Sequence, residues 1–391
     1  MQISNIDKCC GCTACESICP KKAISMKPDN LGFLYPSIDS EKCINCGLCR
    51  NICPANGLEA ENEIKESFAV MNTDSDIRMK SSSGGVFSLL AKKVISQNGI
   101  VFGVRLDENQ IAVFDKAENY SQLETFYGSK YVQAEMRNAY TDCKNEVLSG
   151  RLVLFSGTPC QIAGLKSFLK KEYENLICVD FICHGVPSPA LWQKYVKYQE
   201  KKSASPIVKT AFRHKKCGWK QFSLQLTFAN CSEYCESFTQ NKYMQLFLRD
   251  NCLRESCYNC FAKGTKRFSD ITIADFWGIQ NIDTSMDDDK GTSFVCINSV
   301  KGESLFRKIT LLATYKSVIT SNGIKYNPSM VMAVNRSKKR TRFEKSFKKK
   351  NIDWLYKKFG TDSNVQKYLY FIKRIMRRLL IMIGIKKDYS I

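Results

Sequence analysis

Residues 9–20 read CCGCTACESICP and residues 43–54 read CINCGLCRNICP. Aligned, they give Cys9, Cys12, Cys15, Cys19 and Cys43, Cys46, Cys49, Cys53, two C-x2-C-x2-C-x3-C-P runs offset by 34 residues. A cubane needs four thiolates converging from different directions. One tight turn supplies three of them, and the last cysteine of each run points to the neighbouring cluster. The spacing therefore assigns Cys9, Cys12, Cys15 and Cys53 to one 4Fe-4S cluster, and Cys43, Cys46, Cys49 and Cys19 to the other. Repeated C-x2-C also builds zinc ribbons, but two fourfold runs ending in Cys-Pro match that pattern poorly. Cys10 falls outside the spacing and reads as a packed or spare thiol.

Residues 1–56 resemble bacterial two-cluster ferredoxins, with every spacing kept. Adjacent cubanes move single electrons, so a partner chemistry is expected downstream. The chain has room for it: 391 residues at 44% hydrophobic and 25% charged suit two or three folded domains. It opens MQISNIDKCCGC with no apolar signal region, so its twenty cysteines suggest ligands in a reducing, cytoplasmic setting rather than disulfides. Only His184 and His214 are present, which argues against imidazole-rich zinc sites and against a histidine triad. The longest uncharged apolar run in the tail, LLIMIGI, is far short of the roughly 20 residues a membrane span requires.

Beyond the ferredoxin part, residues 57–67 are polar and read as a linker. A domain over 68–335 follows, divided into 68–158 and 159–335. SSSGG (81–85) precedes a helix-patterned stretch that stops at Gly99, and GIVFGV (99–104) reads as a strand. RLVLFSG (151–157) leads into a helix beginning TPCQIAGLK, and NLICVDFICHG (175–185) into one beginning PSPALW. Strands at 222–228, 270–278 and 292–299, with a helix from GESLF, complete the pattern. The expectation is α/β, α+β overall: a small ferredoxin domain, a mixed and mainly parallel α/β domain with an antiparallel extension, and a basic helical tail. Ligands of such sheets sit at the carboxyl ends of the strands, where Cys160 and Cys183 fall.

Cys178 and Cys296 alternate within apolar strands and read as core thiols. Cys160, Cys183, Cys257 and Cys260 stand in turn-like settings and could converge on a third 4Fe-4S cluster, although the spacing also suits zinc or no metal. A nucleophilic Cys160 with His184 as base is the rival reading. SSSGG at a helix start suits either a phosphate or a flexible capping loop. No G-x-G pair occurs, which argues against a nicotinamide-binding domain and a Walker loop.

SSSGGVFSLLA, FYGSKYVQ, GTPCQIAGLK, ICHGVPSP, LRESCYNCFA and DITIADFWGI, in this order after a two-cluster ferredoxin, resemble the beta-subunit family of coenzyme F-420 hydrogenases and dehydrogenases over roughly residues 1–300. The resemblance implies a ferredoxin-linked, flavin-dependent oxidoreductase with FAD or FMN beside a third 4Fe-4S cluster. Its ligands would be Cys160, Cys183, Cys257 and Cys260, with Cys252 as an alternative. By the same resemblance Ser83, Gly84, Gly85, Ser129, Lys130 and Tyr131 would line the flavin, with Asp275, Trp277 and Gly278 closing the pocket; core packing is the other reading of Trp277. No catalytic residue is singled out. The fused ferredoxin is similar to bacterial reductases of polysaccharide biosynthesis. Expected partners are therefore an electron donor or acceptor protein or reduced cofactor, and a small-molecule, deazaflavin or glycan-precursor substrate. An electron-transfer adaptor lacking flavin and substrate is the alternative.

Of the net charge of +21, residues 335–391 hold +14. The basic tail, 336–391, carries an amphipathic pattern from Val365 to Ile383, which suits packing on the body or peripheral contact with an anionic membrane surface better than nucleic acid.

Overall fold

The computed structural model describes residues 3–361. Thirteen strands follow one another in this part of the chain: β1 (Ile24–Pro28), β2 (Leu34–Ile38), β3 (Glu66–Asn72), β4 (Ile100–Leu106), β5 (Ala112–Ala117), β6 (Val153–Gly157), β7 (Leu176–Phe181), β8 (Ile207–His214), β9 (Ser223–Phe228), β10 (Glu233–Ser237), β11 (Ile271–Asp275), β12 (Ser293–Ile297) and β13 (Ala313–Ser317). An antiparallel β1–β2 hairpin and two one-turn helices, Ala14–Ser17 and Leu48–Asn51, make the ferredoxin part.

The body is built on an eight-stranded sheet ordered β13-β3-β12-β11-β7-β6-β4-β5. Parallel pairing is confined to its four central strands, β4, β6, β7 and β11, and every pairing outside them is antiparallel. The central strands are apolar on both faces because both are covered. Val101, Leu154 and Val179 face the helices Val86–Ile95 and Val300–Arg307. Ile100, Phe102, Phe155 and Cys178, one residue out of phase, face Ala139–Leu148 and Pro159–Leu169.

A second sheet, β10-β9-β8, packs with the helices Pro189–Ser203 and Lys242–Leu248 around Trp192, Tyr195 and Tyr243. The described part of the basic tail that begins at residue 336 joins this core: Phe343, Phe347, Ile352, Leu355 and Phe359 are buried in it, and Arg340 is 2% exposed. These apolar positions sit among lysines and arginines, so mean charge hides their helical spacing. The amphipathic stretch Val365–Ile383 lies outside the described residues. Among the described residues no helix is long and apolar enough to cross a membrane.

Candidate iron-sulfur and cofactor site

Among the described residues three cavities are each lined by four or more cysteines. Cys9, Cys12, Cys15 and Cys53 line the first, and Cys19, Cys43, Cys46 and Cys49 the second. These are the two crossed sets that the repeat spacing assigns. Left-handed Gly11, Thr13 and Gly47, at φ +72°, +64° and +76°, turn the two loops tightly enough to aim three thiols inward from each. Burial, followed by the charges of Cys9 and Cys53, pushes the Cys15 thiol up to about 12. Crowded buried thiols of this kind resist ionisation until a cation neutralises them, a charge that the iron of a bound cluster would supply.

The third cavity lies at the carboxyl edge of the central strands. β6 and β7 pair in parallel, so the segments leaving them emerge side by side. Cys160 sits in the first turn of the Pro159–Leu169 helix after β6, and Cys183 two residues past β7. Cys257 and Cys260 come from the single turn Glu255–Asn259 and its C-cap. All four line one cavity with Cys10, Arg254, His184 and Lys263. The Val186 amide donates to the Cys257 sulfur at 3.4 Å, and burial pushes that thiol up to about 12. The set fits a cluster dianion, because Arg254 and the Lys263 ammonium, which donates to the Cys183 carbonyl, bring positive charge to the wall. Among the described residues no group of three or more His, Cys, Asp or Glu side chains is drawn close enough to hold a single metal ion.

Cys252 does not line this cavity. It is fully buried in the apolar core beside the Leu246 carbonyl. Cys178 and Cys296 are buried in β7 and β12. Cys10, set aside in the sequence, lines both the first and third cavities. His184 shares the cavity with Cys160, but its Nε2 meets Asp250 at 2.6 Å while the Cys160 sulfur meets Thr158 Oγ1 at 3.2 Å.

The residues that the family resemblance assigns to a flavin gather at another edge. The Ser129 amide donates to Ser82 Oγ at 2.6 Å, and Ser83 Oγ donates to the Thr292 carbonyl. Gly85 caps the Val86–Ile95 helix at φ +82°. Gly84 lies against β3, where an added Cβ would stand 2.2 Å from the Val70 carbonyl, so its lack of a side chain is already used by the sheet. The Lys130 ammonium is capped by the Thr125 and Tyr127 carbonyls, and burial pulls it down to about 7. Gly278, at φ +76°, leaves room for the Tyr326 ring.

Sequence reasoning missed the groups that join these residues. Arg213 donates to the Tyr131 hydroxyl at 3.0 Å and to both carboxylate oxygens of Asp275 at 2.9 and 3.1 Å. Trp219 Nε1 donates to Asp275 at 2.7 Å, and its ring stacks on Trp277 with centroids 4.8 Å apart. Lys215 donates to the carbonyls of Arg78, Ser83 and Lys290, and burial pulls it down to about 7. In the sequence this is RHKKCGW, a run whose charges suggest a solvated loop.

The ferredoxin part is seated on the body through Gly164, where an added Cβ would stand 2.8 Å from Cys12 Cβ and 2.6 Å from the Tyr140 hydroxyl. Nearby, Ser167 Oγ donates to the Ile52 carbonyl at 2.5 Å. Gly164→Val is expected to cost about 1–3 kcal/mol through overpacking and to expose the 57–65 connection to protease. Wild-type resistance in limited proteolysis would count against this seam.

Residues 8–56 match the family model of the 4Fe-4S dicluster domain, and residues 150–318 that of the C terminus of the coenzyme F-420 hydrogenase/dehydrogenase beta subunit. The chain joins these two family domains. It is an iron-sulfur, oxidoreductase-type protein related to the F-420 hydrogenase beta subunit. A chain of the F-420-reducing NiFe hydrogenase complex from Methanosarcina barkeri, in a xenon-derivatised structure, is 14% identical; the match covers 68% of this chain and 91% of that one, with a TM-score of 0.46. No curated protein matches.

Proposed function

We propose that this dicluster and beta-subunit fusion is a flavin-dependent reductase. In this reading single electrons from the two ferredoxin clusters reach a third cluster on Cys160, Cys183, Cys257 and Cys260, and are exchanged as a hydride with an organic or deazaflavin-type substrate. The observation that carries the reading is Cys10, which lines both the inner ferredoxin cavity and the four-cysteine cavity and so makes the two neighbours. A bound flavin would supply the conversion between one-electron and two-electron transfer.

The chain's own residues would divide the remaining work. Ser83, Ser129 and Lys130 would hold phosphate: the Lys130 ammonium donates to two carbonyls and keeps one N–H, whereas Lys215 spends all three on carbonyls and would brace the loop. Arg213 orients Tyr131 and Asp275, and the stacked Trp219 and Trp277 offer a flat apolar wall. A glycan precursor remains the substrate class suggested by the fused ferredoxin.

A second reading has its own support. Arg213 Nη1 and Nη2 and Trp219 Nε1 are already engaged by Tyr131 and Asp275, and only the buried Arg213 Nε is left without a partner among the described residues, which favours an electron-transfer adaptor with no flavin. Iron, sulfide and flavin per chain after anaerobic purification separate the two. About twelve irons with one flavin support the reductase, and about eight with none, in protein shown to retain its cofactors, support the adaptor.

A further inference from the structure

Arg254 is fully buried at the seam between the ferredoxin part and the body. Its Nε donates to the Cys9 carbonyl at 2.7 Å, Nη1 to Gln133 Oε1 at 3.0 Å, and Nη2 to the Leu34 carbonyl at 2.9 Å and the Cys9 sulfur at 3.6 Å. The Tyr35 ring centre lies 4.1 Å from the guanidinium. Other buried arginines have carboxylates: Arg213 has Asp275, Arg267 has Asp180 and Arg340 has Glu255. Among the described residues no carboxylate pairs with Arg254. A buried charge left without a counter-ion costs several kcal/mol, yet the chain makes room for this one. Gly11, at φ +72°, lies where an added Cβ would stand 2.8 Å from Nη1.

We propose that Arg254 is the countercharge of the inner ferredoxin cluster, the one held by Cys9, Cys12, Cys15 and Cys53, and that it raises that cluster's reduction potential so that electrons run from the outer cluster toward the body. Reduction adds one electron and makes or breaks no bond, so the cluster gains one unit of negative charge. Burial opposes that gain, whereas a nearby cation and an N–H···S bond favour it. Cys12 and Cys15 are buried, while Cys46 of the outer set is exposed. Burial alone would make the inner cluster the harder of the two to reduce. Arg254, acting through Cys9, offsets that penalty on the side facing the four-cysteine cavity, which it also lines. The inference rests on the dicluster match and not on a third cluster or a flavin, whose failure would leave it standing.

The test is an EPR-monitored redox titration of the anaerobically purified full chain, its Arg254→Met variant and its Gln133→Glu variant. A soluble paramagnetic relaxing agent, which broadens the exposed outer cluster first, tells the two reduction steps apart. Methionine removes the charge while filling much of the volume. Glutamate at 133 places a carboxylate where the amide oxygen now accepts from Nη1 and pairs the cation at nearly the same shape, giving up only the bond that Gln133 Nε2 donates to the Cys10 carbonyl at 3.0 Å. In both variants the inner step is expected to fall by at least tenfold in reduced-to-oxidised ratio at fixed potential, about 59 mV, with the outer step unmoved and iron at the wild-type level. Arg254→Lys, which keeps the charge, should lie between. If Arg254→Met loses iron, Gln133→Glu decides. An unmoved inner step in iron-replete protein, or an equal shift of both steps, overturns the proposal.

Discussion

Cys257→Ala is expected to lower bound iron by about four atoms per chain and to abolish electron transfer from the ferredoxin clusters to a bound flavin, while both ferredoxin EPR signals persist. Its sulfur accepts from the Val186 amide and faces the cavity shared with Cys160, Cys183 and Cys260. Cys160→Ala should have the same effect. If Cys160 were instead a nucleophile, activity would vanish with iron unchanged, so the pair of variants separates the two chemistries. Cys252→Ala is the control: its thiol lies in the apolar core, and iron should stay at the wild-type value. Loss of iron on that substitution would mean the ligand set is wrong.

Asp180→Ala is expected to destabilise the body by about 3–5 kcal/mol, read by chemical denaturation. Asp180 is 0% exposed and accepts from Arg267 Nη2 at 2.7 Å; Arg267 is 2% exposed. Burial pushes the Asp180 carboxyl up and Arg267 opposes that shift, so its carboxylate depends on this partner. Removing it leaves a buried guanidinium beside the four-cysteine cavity. The same arginine's backbone pairs with Asn62 through two hydrogen bonds, tying down the connection that follows the ferredoxin. Replacing both partners together, Asp180→Leu with Arg267→Met, should recover most of the loss, because the apolar pair has no charge to desolvate. Breaking the exposed Arg307–Glu66 pair, 2.8 Å apart, should cost less than about 1 kcal/mol. Equal losses at the two sites would show that burial is not the cause.

Several elements escaped the sequence for one physical reason. β8, β10 and β13 carry charged or polar residues, and β13 is an edge strand whose residues are mostly exposed, so none shows the continuous apolar run that marks β6 or the apolar alternation that marks β9. Phe343 and Phe347 are four apart on a helix, but they sit in RTRFEKSFKKK, where the charge dominates.

By itself the sequence determined what one stretch of chain can determine: the two C-x2-C-x2-C-x3-C-P runs, whose cysteines lie three or four residues apart in single loops, and the strand-helix units around GTPCQ and ICHG. Tertiary structure decided the rest. It brought Cys160, Cys183, Cys257 and Cys260 to one cavity, put Cys252 in the core, and placed Cys10 between two cavities. It also showed that Arg213, Lys215 and Arg254 are buried. Spacing fixes geometry only within a turn or two of chain, whereas a site built from separate elements depends on which strands pair and in what register.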